Sequence, residues 1–428
     1  MFLRLVIVLS LVLSIVLTPC NLKAQENSNI SEPIPGQYIV KFKDSNETAS
    51  EKADKLVKAH GCKTLQVYEH VFKGASIELS SDKVKDLTED PSVEKVVQDF
   101  TVSAFDRPSD NSNPKTTGGM GGTSSQVIPT GINWIDAELN ITNEGLGTTV
   151  AVLDTGIDFK HPDLMVNKLL SRDFTPDGTG GNDDNRSIDG HGTHCAGVIA
   201  ALDNTTGVLG VGSKIDLVSV KVLDRSGSGA FSWIIAGLDY VTAHADVIGV
   251  TNSSFGATGG TNPSQSFLDS SNLLRQAYQR AANAGVINVV AAGNEAVDVT
   301  SSNAVPAMYP EVITASAVND GDGQQGNDSW ASFSNFGTEV DVIAPGVNIL
   351  STAIGGGTSS LSGTSFSSPH VSGTVALYIA RNGRPANGNA QFLSSLISAI
   401  SKPRSPLAGE PADGYTEPSC YANGAGLQ

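Results

Sequence analysis

Two kinds of apolar pattern divide this chain. Before residue 105 the pattern alternates between periods. Gln37–Phe42 reads as a half-buried strand, and Glu47–His60 carries Ala53, Leu56, Val57 and Ala59 at helical spacing. Strand-like Thr64–Tyr68 and Gly74–Leu79, a short helix Ser81–Leu87 and a closing strand Val93–Asp99 complete a βαββαβ order, a compact α+β unit. Beyond Gln126 the apolar runs are short, rich in Val and Ile and almost uninterrupted: Thr148–Leu153, Leu217–Val222, Val247–Asn252, Gly285–Ala291 and Val312–Ala317. Such runs belong to strands covered on both faces. Helical stretches alternate with them at His191–Ala201, Ser232–His244, Ser266–Ala284 and Ser365–Ile379. The expectation is an α/β domain, a parallel sheet between two helical layers.

Two segments fit neither pattern. Residues 1–24 have Arg4, an apolar run Leu5–Leu17 and a small residue at Ala24, the layout of a secretory leader. The run is shorter than the roughly 20 residues a membrane helix needs, so no stable membrane span is expected. Residues 106–124 are dominated by Gly, Ser, Thr, Asn and Pro and read as a flexible linker. The division is therefore leader 1–24, small domain 25–105, linker 106–124 and large domain 125–428.

Charge narrows the partners. The net charge is -17, and from Asp106 onward 15 basic residues stand against 30 acidic ones, a balance of -15. An acidic large domain argues against nucleic acid and anionic membranes. It suits a soluble protein able to bind cations; a monomer is expected. Four cysteines in four separate segments make no disulfide framework, and Cys195 reads as a small buried residue.

Three short glycine-rich segments carry the chemistry. They are Val150-Ala-Val-Leu-Asp154-Thr-Gly156, Asp189-Gly-His191-Gly-Thr-His194 and Gly363-Thr-Ser365-Phe-Ser-Ser-Pro369. A serine hydroxyl is a weak nucleophile until an adjacent base takes its proton. The base in turn needs a carboxylate to fix its tautomer. Ser365 at a helix start, with Pro369 expected within the first turn, is the candidate nucleophile. His191 is the candidate base in preference to His194, and Asp154 the orienting carboxylate. A metal pair from His191 and His194 lacks a third ligand motif.

The order Asp, His, Ser is the one known for subtilisin, and the chain closely resembles the subtilisin family of serine endopeptidases. The resemblance implies a three-layer subtilisin-like catalytic domain. The Tyr38-Ile-Val-Lys-Phe42 opening and the Asp90-Pro-Ser-Val93 turn resemble the family's inhibitory propeptide, a ferredoxin-like unit that assists folding and then blocks the cleft. By the same likeness Phe105 occupies the position just before the first cut and Val102 lies three residues upstream, so self-processing and apolar-leaning specificity are expected. Asn294 in Ala291-Ala-Gly-Asn294 matches the oxyanion-hole asparagine, and Glu295 a residue that lines the first pocket in some relatives. Ser228 and Gly229, with Ser254, Phe255 and Gly256, match the two cleft-edge segments that sandwich a substrate's main chain. That mode reads backbone more than side chains and implies broad specificity. Leu202-Asp-Asn-Thr-Thr-Gly-Val208 matches the family's calcium loop. It offers Leu202, Asn204, Thr206 and Val208 as calcium ligands, with Asp163 and Gln126 beside them. Pro310, Val312 and Asp341 match a weaker second cation position. A peptide ligase would use the same triad with another acceptor, whereas a non-catalytic relative would have lost a triad member. The expected activity is hydrolysis of peptide bonds in proteins.

Overall fold

The computed structural model describes residues 30–105, 125–183, 190–388 and 390–423. The expected leader 1–24 and linker 106–124 lie outside them. In the small domain, strands β1 (Pro33–Phe42), β2 (Lys63–Tyr68), β3 (Gly74–Glu78) and β4 (Val93–Ala104) form an antiparallel sheet, with β1 between β3 and β4. Helix α1 (Ala49–His60) begins at a reciprocal cap. The Thr48 hydroxyl accepts from Glu51 N–H, and the Glu51 carboxylate accepts from Thr48 N–H. It ends at Gly61, whose φ of 66° is the left-handed conformation glycine adopts most readily. Its Ala49, Ala53 and Leu56 pack on Val40, Phe42 and Ile77 of the sheet. Helix α2 (Val84–Thr88) is one short turn beside β4.

In the large domain the central strands are β5 (Thr149–Asp154), β6 (Asp216–Lys221), β8 (Val250–Ser253), β10 (Ile287–Ala291), β11 (Val312–Asn319) and β12 (Val342–Pro345). They run parallel in the spatial order β12-β11-β10-β8-β5-β6. Helices α3 (His191–Ala200) and α6 (Thr364–Asn382) cover one face, whose cluster joins Val150 and Val152 to Ile199, Phe366 and Val375. Helices α4 (Phe231–Ala243) and α5 (Gln265–Asn283) cover the other, joining Ala151 and Leu153 to Ile235, Leu238 and Tyr278. Alternate residues of β5 thus serve opposite cores, which is why its sequence reads as unbroken apolar.

Three differences from the sequence expectation have physical causes. β12 was not anticipated, because Asp341 and Pro345 break a run of only a few apolar residues. β4 continues five residues past Asp99, because its end finds strand partners on the large domain: β7 (Ser228–Ala230) on one side and β9 (Phe255–Thr258) on the other. Pro369 lies beyond the first turn of α6, inside the helix. Its missing N–H would leave the Ser365 carbonyl without its helical donor, but that oxygen accepts from the Ser254 hydroxyl at 2.8 Å and the Cys195 thiol at 3.4 Å.

The domains share a core. Tyr68, Phe100 and Val102 lie in the cluster with Phe231, Phe255 and Phe267. Two carboxylates seal the contact. Asp239 on α4 accepts from the main-chain N–H groups of Glu69, His70 and Val71 at 2.6–3.0 Å. Asp99 accepts from Ser232 N–H at the start of α4 at 3.1 Å.

Candidate active site

Asp154 is the last residue of β5 and fully buried. Its Oδ1 lies 2.8 Å from Nδ1 of His191, the first residue of α3, and accepts from Thr155 N–H at 2.7 Å. A carboxylate can only accept, so Nδ1 carries the ring proton and Nε2 is left as the basic nitrogen. The glycine after His191 makes this approach possible. A Cβ at Gly192 would overlap the Gly156 carbonyl and stand 3.0 Å from Asp154 Cβ. The neighbouring His194 points elsewhere. Its Nε2 lies 3.1 Å from the Ser359 carbonyl, its ring packs edge-on against Phe366, and burial pushes its pKa down to about 3. Its ring is taken up by packing, and it is His191 that faces Asp154.

Ser365, in the first turn of α6, is buried, with Oγ 3.1 Å from the Ser254 carbonyl and 3.2 Å from the carbonyl of Phe105. The same Phe105 oxygen accepts from Asn294 Nδ2 at 2.6 Å. The amide orientation is fixed from behind, because Asn294 Oδ1 accepts from Thr364 N–H and its hydroxyl at 2.9 and 3.0 Å. One carbonyl therefore sits between a serine hydroxyl and a preorganised neutral donor.

The chain leading to that carbonyl is held as an added strand. Thr101, Val102 and Ser103 pair antiparallel with Ala230, Gly229 and Ser228, while Ser103 and Ala104 pair with Gly256 and Phe255. Val102 is buried among apolar side chains that include Leu223 and Phe255. The Phe105 ring lies over Gly256, where a Cβ would collide with it. Phe255 contributes main chain to the pairing while its own ring is fully buried. Glu295 turns inward: its Oε2 accepts from Asn294 N–H and from Asn335 Nδ2.

Comparison with known proteins agrees with this picture. Residues 145–400 match the subtilase family and residues 37–105 the peptidase inhibitor I9 family. The chain belongs to the subtilase family. It is 36% identical over 382 residues to subtilisin amylosacchariticus of Bacillus subtilis subsp. amylosacchariticus, covering 87% of this chain and 88% of that one. It is 36% identical over 354 residues to a cuticle-degrading protease of Metarhizium anisopliae, covering 82% and 81%. A cold-adapted subtilisin-like serine proteinase of known structure superposes with a TM-score of 0.53 at 30% identity, over 70% of this chain and 99% of that one. The chain is thus a serine-type endopeptidase of the subtilase family, made with an inhibitor I9 propeptide domain.

The loop offered for calcium also closes on itself. Gln126 Nε2 donates to the carbonyls of Leu202 at 2.6 Å and Val208 at 3.2 Å. Asn204 Nδ2 donates to Asp163 Oδ1 at 2.7 Å, Thr206 N–H to Asn204 Oδ1 at 2.7 Å, and Val208 N–H to Asp163 Oδ2 at 2.9 Å. Asn204 and Val208 thus bond the buried Asp163 carboxylate directly, Thr206 is joined to it through Asn204, and Gln126 links the Leu202 and Val208 carbonyls. Gly207, at φ +70°, leaves a space beside Asp163 that a Cβ would fill. At the second position Asp341 accepts from Thr314 N–H at 2.8 Å, and burial raises its pKa to about 7.

Sequence reasoning missed the groups that hold Ser365 in place. Ser254 was read as a cleft-edge residue, yet its hydroxyl bonds the Ser365 carbonyl and lies 2.9 Å from that of Ser368. The signal was present: a proline four residues after the nucleophile frees the carbonyl that Ser254 satisfies. Cys195 is a buried thiol, as expected, and so are Cys62 and Cys420.

Proposed function

We propose that this chain is a secreted, self-processing endopeptidase of broad, apolar-leaning specificity, with Asp154, His191 and Ser365 as its triad. The observation that carries the reading is the Phe105 carbonyl, 2.6 Å from Asn294 Nδ2 and 3.2 Å from Ser365 Oγ at the end of a strand seated between β7 and β9. Ser365 Oγ attacks that carbonyl carbon as His191 Nε2 takes the hydroxyl proton. Asp154 holds the imidazole and stabilises its charged form. The oxygen that becomes negative is held by Asn294 and the Ser365 N–H. His191 then protonates the departing amine, and water repeats the sequence on the acyl-enzyme. The first substrate is the chain's own bond after Phe105, and residues 30–105 then remain in the cleft as a product-like inhibitor.

Main-chain pairing at Ser228, Gly229 and Gly256 accepts any extended peptide, so specificity falls to the sites holding Val102 and Phe105, both apolar. The leader-like residues 1–24 support export. A calcium ion fits the donor set of Gln126, Asp163, Leu202, Asn204, Thr206 and Val208: oxygens throughout, one buried carboxylate, and a space beside it kept open by glycine. Bound there, calcium would tie the loop after α3 to the start of the large domain. The test is N-terminal sequencing of purified chain, wild type against Ser365→Ala. The wild type is expected to begin after Phe105 and the variant to keep residues 25–105; normal processing of the variant with no other protease present would overturn the assignment.

A further inference from the structure

Lys221 ends β6, a strand that is buried at every position after Asp216, and its own side chain is only 2% exposed, deep in the large domain. Burying an ammonium is costly unless each of its protons finds an acceptor. Here all three do. Nζ donates to the Thr155 carbonyl at 2.7 Å, to the Leu223 carbonyl at 2.9 Å, and to Asp177 Oδ2 at 3.1 Å. An apolar residue of similar length would fill this space without desolvating a charge, so the three acceptors are where the purpose of the lysine should be sought.

Each acceptor belongs to a different part of the site. Thr155 follows Asp154, which faces Lys221 across the parallel β5–β6 ladder. Thr155 also bonds on both sides of the Asp154–His191 pair: its N–H reaches Asp154 Oδ1, and its hydroxyl accepts from Gly192 N–H. Leu223 begins the hairpin that carries β7, and it bridges to Gly229, the residue opposite Val102. Asp177 sits on a loop beyond the strand edge and grips the same hairpin from outside. Its carboxylate accepts from the Arg225 main-chain N–H at 2.9 Å and from the Arg225 guanidinium at 3.0 and 3.2 Å.

We propose that Lys221 is a positioning residue of the substrate cleft: through Thr155, Leu223 and Asp177 it holds the β7 edge strand in fixed register with the Asp154–His191 pair. Asp154 keeps its own main-chain anchors, since its carbonyl accepts from Val222 and Leu223 N–H and its Oδ1 from Thr155 N–H. The hairpin tip does not. Between Leu223 and Ser228 it hangs on internal turns around Asp224, on the Asp177–Arg225 contact and, while β4 is seated, on Ala104 N–H at the Gly227 carbonyl. Loss of the ammonium therefore frees the strand that reads the substrate while leaving the proton-transfer pair assembled.

This inference rests on the reading of β7 as the strand that substrates pair with, and the test separates the two. Hydrolysis is compared on a four-residue peptide amide that reaches β7 and on a single-residue ester that does not, with active sites counted by titration. Wild type is expected to prefer the longer substrate strongly; no preference would refute the cleft reading itself. In Lys221→Met, kcat/KM on the longer substrate is expected to fall at least tenfold, chiefly through KM, with less than threefold change on the ester. Asp177→Asn, which keeps the shape and removes the charge, is expected to shift the same ratio in the same direction and to add nothing to Lys221→Met in the double variant. Should Lys221→Met fail to fold, Asp177→Asn alone decides by that ratio. Equal losses on both substrates, an unchanged ratio, or additive effects would overturn the proposal.

Discussion

The pocket beneath Phe105 yields a prediction whose size follows from the coordinates. A Cβ placed on Gly256 would stand 2.9 Å from Phe105 Cε2, closer still to Cζ, and 3.0 Å from the Val305 carbonyl. Carbon atoms attract at about 3.5–4.0 Å and repel steeply below that. The backbone at Gly256 is not in the left-handed region, so alanine can adopt it, and the added methyl meets the ring before anything else. In Gly256→Ala the ring must leave its site. Fully burying an aromatic side chain is worth about 1.5–3 kcal/mol; the Phe105 ring is partly buried, so the lower end applies, and each 1.36 kcal/mol is tenfold in rate. A loss of about tenfold in kcat/KM follows for peptides with Phe before the cut. Peptides with Ala there end short of the new methyl and should lose less than about threefold. The proposed self-cleavage after Phe105 would carry that residue into this site, so maturation of Gly256→Ala should stall by the same factor, and Phe105→Ala in the same chain should restore it. Paired peptides differing only at that residue measure the first effect, and gel analysis of processing the second. Equal loss on both peptides would mean that the methyl damages the fold through Val305, and undiminished cleavage after Phe would mean that the ring does not occupy this pocket; either outcome refutes the reasoning.

Three further outcomes are expected. Asn294→Ala removes the 2.6 Å donor to the Phe105 oxygen and should lower kcat by about 10²–10³ with little change in KM, a range measured on the equivalent donor of a subtilisin rather than worked out for this chain; steady-state kinetics that show the loss in KM instead would contradict it. Burial pushes Asp99 from 3.8 up to about 6 at the contact with α4, so the docked state favours the protonated acid. Docking is therefore strongest below pH 3.8 and weakens as pH rises through 6, by about 3 kcal/mol at 1.36 per unit. Dissociation of the cleaved propeptide, followed by surface binding from pH 4 to 8, should accelerate with pH in wild type and lose that slope in Asp99→Asn. Removing calcium from the inactive Ser365→Ala chain should lower Tm by about 5 °C or more, as expected for a ligand held at a hundred times its Kd; in Asp163→Asn, calcium should have no effect on a calorimetric scan.

What could be read from the sequence and what could not divide along a physical line. Asp154, His191 and Ser365 each sit in a local setting that a few neighbouring residues define: the end of an apolar strand, a glycine-permitted helix approach, a helix start. Such settings are visible in one dimension, and so is the spacing that puts Phe105 six residues after Asp99. Contacts between distant segments are not. The burial of the lysine at the end of β6 cannot be read from Leu217–Val222, because nothing there shows that Asp173 and Asp154 pair with it on the two neighbouring strands. Asp239 reads as a polar position on the outer face of α4, and becomes the acceptor for three propeptide N–H groups only when the small domain docks.

The same line explains why β4 ran longer than its own residues predicted. Thr101-Val-Ser-Ala104 has a weak strand signal, and among the described residues no stretch of the small domain pairs with Val102, Ser103 or Ala104. Their partners are β7 and β9, contributed by the large domain more than a hundred residues later. A strand made only by docking is stable while both edges hold it and is lost when one lets go. The edge formed by β7 depends on Leu223 and Arg225, and those in turn on Lys221 and Asp177. The register of an incoming substrate would be set by the same contacts, because it would replace β4 between the same two strands. Inhibition by residues 101–105 and recognition of an extended peptide are then one geometry used twice, and any substitution that loosens β7 should weaken both together.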